Sequence, residues 1–400
     1  MNTLPCMPIP SHNLQIAPPK PPLFFAAALA ILLTISVTAA VAGLAPPRAV
    51  RVGDTLYISG TVNRNPETGA QPTDVAGSTR QVMANLKEVL ARDGFTLADV
   101  VASEVWVDDL AKYAEMNNTY REAFSGVYPT RTTVEAAALP EGSPVQIAMV
   151  AVKGSRRIVH PRGAKSLGLP FSPGIQIGDK LYMSGQAGVD PATGKLVVGD
   201  FKTHVAQTLR NIGAVLESAE MNFSQVVLTH VFLTNPNDFG PMSEVYRTFT
   251  SEPRPARVPF GARKLPLNSA VEITMLASTQ KGKPILPAGM PPSENYSRGY
   301  LVGNELYVSG IGSPKENVAE RVDDCMDRVK KIFGTAGLSM DHAVMARIYL
   351  TDIRELEAVT RLYLKHFPKG KAPSQAIVAV PSLPGGLRMM ISVVATKDRH

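Results

Sequence analysis

Arg131 and Arg257 stand at matching places in the chain, each eight residues ahead of a Leu-Pro pair, Leu139-Pro140 and Leu265-Pro266. A guanidinium is a planar fork of donors that matches a carboxylate, so a pair of arginines at matching places points to acid-bearing ligands. A strand arginine is also often simply solvated. Glu272 interrupts an apolar stretch, Ala270, Val271 and Ile273. Such a carboxyl either faces outward on strand alternation or lines a pocket, where it can orient water or move protons. Ser59, Ser184 and Ser309 recur as well, but no histidine recurs with them, so they read as strand ends rather than nucleophiles. The 7 histidines are scattered without HExxH spacing, and the 2 cysteines, Cys6 and Cys325, form no CxxC. Neither a metal site nor a disulfide framework is expected, and the chemistry calls for no cofactor.

The elements that must position these residues come in copies. Val52-Gly53-Asp54-Thr55-Leu56-Tyr57-Ile58-Ser59-Gly60 returns around Ser184 and again around Ser309, a period of 125 both times. Each copy reads as a β-hairpin, with Gly-Asp or Gly-Asn as the turn. A Pro-x-Thr-Gly turn follows at Pro66 and Pro191 and is shortened near Pro314. Helical spacing then runs through Val75, Thr79, Val82, Leu86 and Val89, through Val205, Leu209, Ile212 and Leu216, and through Val318, Val322, Cys325, Val329 and Ile332. Cys325 is thereby expected as a buried small hydrophobe. A strand, a short helix ending at Tyr120, Tyr246 or Tyr363, and two strands flanking Leu-Pro complete a β-β-α-β-α-β-β unit. A sheet with both helices on one face leaves its other face apolar. Three such sheets can cover one another around a pseudo-threefold axis. The linkers, residues 153–170 and 281–292, are expected to cross the outside.

Hydrophobic residues make up 44% and charged residues 19%, which suits folded domains rather than disorder. The formal charge of +7 is dispersed, and its densest patch, Lys153, Arg156, Arg157, Arg162 and Lys165, reads as a solvated basic linker. Without a basic stripe interleaved with aromatics, no nucleic-acid partner is expected. Residues 23–42 form an uncharged apolar run, long enough at roughly 20 residues to span a bilayer, and it ends in Ala40-Val41-Ala42. Residues 1–42 are therefore expected to be a signal peptide or membrane anchor, giving an exported or anchored protein that touches the membrane only there.

With its Gly-Asp-x-Leu-Tyr-x-Ser-Gly hairpin, Pro-x-Thr-Gly turn and Pro-x-Arg strand leading to Leu-Pro, the unit resembles the RidA (YjgF-type) family of imine/enamine deaminases. The resemblance covers nearly everything after the apolar run. It implies an α+β fold of three tandem RidA-like (chorismate-mutase-like) domains, at 43–155, 165–280 and a degenerate 290–400, forming an intramolecular pseudo-trimer. It also implies a ligand site in each cleft between neighbours, and the chain is expected to be a monomer.

Carried over residue by residue, the family arginine is Arg131, Arg257 and then Gln375. The family glutamate, fifteen residues further on, is Gln146, Glu272 and Met390. The N-terminal aromatic is Pro46, Phe171 and Tyr296, and the helix asparagine is Asn117, Ser243 and Thr360. Two past the arginine stand Thr133 and Pro259. Only copy two keeps both charged groups, so the resemblance casts Arg257 as the group binding a substrate carboxylate and Glu272 as the group acting on water. Arg131, Asn117 and Tyr296 complete the expected substrate-binding set, and copy three is expected to be structural. Composite clefts allow a site drawn from two copies, and the sequence does not say which copies meet.

The implied activity is hydrolysis of 2-imino or enamine acids to 2-keto acids and ammonia, with a small 2-imino or 2-keto acid as the partner. The alternative is a carboxylate-binding protein without turnover, motivated by Gln146, Gln375 and Met390. RNA cleavage or translation inhibition, for which the family is also named, sits poorly with dispersed charge and an apolar leader.

Overall fold

The structure is a computed structural model that describes Met1 and residues 46–161, 163–164 and 168–399. The apolar run 23–42, Cys6, Arg162 and Lys165 lie outside the described residues. Among those described, no helix is long and apolar enough to cross a membrane.

The first repeat runs β1 (Ala49–Val52), β2 (Thr55–Thr61), α1 (Val75–Arg92), β3 (Val100–Val107), α2 (Tyr113–Glu122), β4 (Thr130–Glu135) and β5 (Val145–Val152). A connecting strand β6 (Arg156–Val159) leads to the second repeat: β7 (Gly174–Ile177), β8 (Lys180–Met183), β9 (Gln186–Ala187), α3 (Phe201–Ser218), β10 (Val226–Leu233), α4 (Phe239–Phe249), β11 (Ala256–Gly261) and β12 (Val271–Ser278). Another connector, β13 (Gly282–Ile285), leads to the third: β14 (Gly299–Val302), β15 (Glu305–Val308), β16 (Ile311–Gly312), α5 (Val318–Thr335), β17 (Ala343–Leu350), α6 (Leu356–Leu364), β18 (Ser374–Ala379) and β19 (Met389–Thr396).

Local chemistry explains the boundaries. Each hairpin closes through a two-residue loop whose first residue, Gly53, Gly178 or Gly303, holds φ of +55°, +56° or +55°, a conformation glycine adopts freely. The long helices start where Asp74, Asp200 and Asn317 accept backbone N–H groups of their first turn. In each repeat the short helix is the crossover between parallel strands, β3 to β4, β10 to β11 and β17 to β18. The sheets run β1-β2-β5-β3-β4, β6-β7-β8-β12-β10-β11 and β13-β14-β15-β19-β17-β18. The connectors are therefore not purely external links. β6 and β13 add antiparallel edge strands to the sheets they precede. The basic patch is engaged too: Lys153 pairs with Asp99, Arg156 donates to the Val100 carbonyl and Arg157 to Gln176.

Each sheet packs its helices over its own core, with Leu86, Leu209 and Val329 among the buried residues of the three; Cys325 lies in the third as a small apolar group. The opposite faces share one apolar cluster drawn from all three repeats, including Trp106, Phe232, Phe260 and Tyr349. The repeats are stitched in a ring. Arg263 N–H donates to the Glu135 carbonyl, Gly261 N–H to Ser382, and Ala137 N–H to Ala379.

Where the sheets meet, equivalent positions carry unlike residues. Glu104, His230 and Arg347 occupy the same place on β3, β10 and β17, opposite Thr132, Val258 and Ala376. Arg347 grips Glu104 with two bonds of 2.7 and 3.3 Å. His230 is held below its usual pKa by burial, with Glu104 and Arg347 pulling it in opposite directions. Elsewhere, Thr55, Lys180 and Glu305 begin equivalent strands. Lys180 pairs with Glu305 at 2.8 Å, and Glu305 also accepts from Tyr57 and Tyr307.

Candidate functional site

The recurrent Ser-Gly turns out to build the clefts. Ser184 Oγ accepts the Arg131 N–H at 2.8 Å and donates to the Ser172 carbonyl, while Gly185 N–H donates to the Arg131 carbonyl. Ser309 and Gly310 treat Arg257 in the same way. Ser59 Oγ accepts the Gln375 N–H at 2.9 Å and closes the ring. Each cleft thus takes its arginine position from one repeat and its Ser-Gly floor from the next, with the third repeat followed by the first. The glycine is required, because the family-glutamate side chain of the following repeat lies directly over it. A Cβ would collide with the Glu272 carboxylate at Gly185, with Met390 Sδ at Gly310 and with Gln146 at Gly60.

That rule decides which residues meet. Arg131 and Glu272 line one cavity of about 320 Å³ between the first and second repeats. Arg257 and Glu272 do not form a pair. They lie on β11 and β12, on opposite sides of β10, and their partners there, Thr229 and Phe232, are three residues apart. Strand spacing and rise put their Cα atoms about 14 Å apart. The expected copy-two pairing thus gives way to one drawn from two copies.

Arg131 is 4% exposed. One terminal nitrogen donates to Tyr113 Oη at 3.1 Å, and the other, Nη1, is buried with no partner. The rings of Tyr113, Tyr120 and Phe171 surround the guanidinium at 5.7, 5.1 and 5.6 Å. Glu272 is 5% exposed; burial pushes its carboxyl up to about 8, against the pull of Arg131. A carboxyl titrating there can both give and take a proton near neutrality. Asn117 is buried on α2 between Tyr113 and Tyr120; its Oδ1 has no partner, and it does not line the cavity.

The other two clefts are equipped differently. Between the second and third repeats, Arg257 donates to Ser243 Oγ at 3.2 Å and lies 5.4 and 5.5 Å from the rings of Tyr246 and Tyr296. Tyr296 therefore accompanies Arg257, not Glu272, and also accepts from Arg298. Met390 fills the acid's place. Between the third and first repeats, Gln375 and Gln146 hold the two positions, so neither an arginine nor an acid stands there. No group of three or more metal-ligating side chains exists among the described residues.

Tyr113 and Leu267, both in the cavity wall, escaped the sequence reading. Tyr113 had a legible signal, four residues ahead of Asn117 and so on the same helix face. Leu267 had none.

A family model described as Endoribonuclease L-PSP matches the chain three times, over residues 37–153, 165–279 and 288–397. The 2-iminobutanoate/2-iminopropanoate deaminase of Mus musculus is 37% identical over 122 residues, 30% of this chain and 90% of that protein. A RutC family protein of Aquifex aeolicus is 36% identical over 124 residues, 30% of this chain and 98% of its own length. The solved structure of E. coli TdcF with bound serine is 30% identical and covers 28% of this chain and 92% of its own, with a TM-score of 0.27.

Proposed function

Because the chain belongs to the Endoribonuclease L-PSP (RidA/YjgF) family, we propose that its Arg131–Glu272 cleft hydrolyses 2-imino acids, and the enamines that tautomerise to them, to 2-keto acids and ammonia. The observation that carries this reading is the meeting of two groups in one cavity: a buried guanidinium with a spare donor, and a carboxyl with its pKa raised to about 8. The substrate carboxylate takes the free Nη1 of Arg131, relieving a buried unpaired donor. Neutral Glu272 gives its proton to the imine nitrogen, which makes the C=N carbon electrophilic. The resulting carboxylate takes a proton from the attacking water as the C–O bond forms. That proton returns to nitrogen, the C–N bond breaks as the Glu272 carboxylate takes the hydroxyl proton, and ammonia leaves the keto acid with Glu272 neutral again. No other group is consumed.

The test generates 2-imino acids in place with an amino-acid oxidase and times their loss against a trapping amine. Acceleration by wild type, lost on removing Arg131 or Glu272, supports the reading. Tight keto-acid binding without acceleration replaces it with a binding protein, the role that Arg257 with Met390 fits in the second cleft. In the same reading the mature chain is a monomer whose repeats stand in for three subunits, exported or anchored by residues 23–42. Sedimentation of the chain and N-terminal sequencing from its host check those two points.

A further inference from the structure

The walls of the Arg131–Glu272 cavity point to its substrate: we infer that this cleft takes 2-imino acids with a bulky apolar side chain, an inference that rests on the hydrolytic reading above. A dry cavity of about 150 Å³ takes benzene, with its six heavy atoms, so the 320 Å³ cavity has room for roughly twelve. The imine derived from alanine has only about six. Apart from Arg131, Glu272, His160 and Tyr113, no lining side chain is titratable, and much of the lining is apolar. Phe171, Pro191, Ala214 and Leu267 come from the second repeat, and Pro161 and Leu169 from the segment joining the first two repeats.

Leu267 is the informative residue. It follows Leu265-Pro266 with φ of +60°, while its equivalents are Glu141 at +57° and Gly385 at +66°. Glycine suits that left-handed backbone, and a leucine there is strained. The side chain is also 52% exposed, so burial in the fold does not repay the strain. The left-handed turn is common to all three repeats and so belongs to the frame; an exposed apolar side chain carried on it into a cavity wall is what sets this cleft apart. Of the three clefts, only this one combines a leucine at that position with the acid.

Imines made in place from leucine, phenylalanine and alanine test this. Wild type should show a kcat/KM at least about tenfold higher for the leucine-derived than for the alanine-derived imine, the scale on which apolar pockets discriminate. Leu267→Gly should bring that ratio toward unity without lowering the melting temperature, because glycine is at home at that φ. A wild-type ratio near one, or a ratio that Leu267→Gly leaves intact, overturns the inference while hydrolysis stands. If no imine is turned over, the hydrolytic reading falls and calorimetry decides. Tighter binding of 4-methyl-2-oxopentanoate than of pyruvate upholds the apolar pocket, and equal binding overturns it.

Discussion

The cleft between the first two repeats and the cleft between the second and third share a frame and differ in content. Both hold an arginine by the backbone on a Ser-Gly floor, at 2.8 and 2.9 Å. Both ring its guanidinium with aromatic side chains. One adds Glu272 over the floor glycine and the other adds Met390. The frame is thus set by backbone hydrogen bonds that survive divergence, while the proposed reactivity hangs on a single side chain supplied by the neighbouring repeat. An arginine alone marks where a ligand can be held; an arginine with a buried acid marks where it can be changed.

The largest effect that separates the clefts is expected from Glu272→Gln. It keeps the shape but loses the proton carrier, so kcat should fall by about 10²–10⁴-fold. Any activity limb with a midpoint near pH 8 should vanish from the pH–rate profile. Arg131→Ala should follow with a loss of about ten- to a hundredfold in kcat/KM, the scale of a charge-assisted hydrogen bond. Arg257→Ala should change the same assay by less than about twofold, since its cleft has no acid. Equal losses from the two arginine variants would erase the distinction.

Stability gives a third contrast. Burial lifts Glu272 from the ordinary 4.5 to about 8, so between those values the folded state holds a proton that the unfolded chain releases. The contribution of this group to stability is fully present below pH 4.5, falls as pH rises toward 8, and is flat above. The change is on the order of a few kcal/mol. Thermal melts of Glu272→Gln against wild type should therefore show a gap in the variant's favour that widens from pH 5 to 8. Met390 has no counterpart effect, so Met390→Gln should give a pH-independent difference. The smallest effect belongs to the shared frame: Ser184→Ala and Ser309→Ala should each cost about 1–3 kcal/mol by leaving buried partners unpaired, read as similar losses in denaturant midpoint.

Much of this molecule was legible in the sequence. The hairpins, the helix faces at Val82, Leu209 and Val329 and the need for the sheets to share their bare faces all follow from periodicity. Glu272 also stood out, as a lone acid in an apolar run. Its partner did not. Local spacing joins Glu272 to Arg257, but the strands carry them to opposite sides of β10, and only the order in which repeats meet brings Arg131 across. The connectors were misleading for a different reason. Arg156–Val159 is short and carries two arginines, so its edge-strand pairing leaves no apolar alternation to detect. The recurring serines looked like strand ends because their hydrogen-bond partners lie 53, 52 and 316 residues away.

The unlike residues where the three sheets converge have a consequence for ancestry and assembly. Three identical subunits must present the same residue to their common centre, so a glutamate there meets two more glutamates and an arginine two more arginines. A single polypeptide escapes that rule. Glu104, His230 and Arg347 can each be edited alone, and the Glu104–Arg347 grip is a bond that no symmetric assembly of one repeat can make. The copies have in this way become mutually dependent. Excised and left to associate with itself, the first repeat would gather three like charges at the point where the parent chain holds an ion pair.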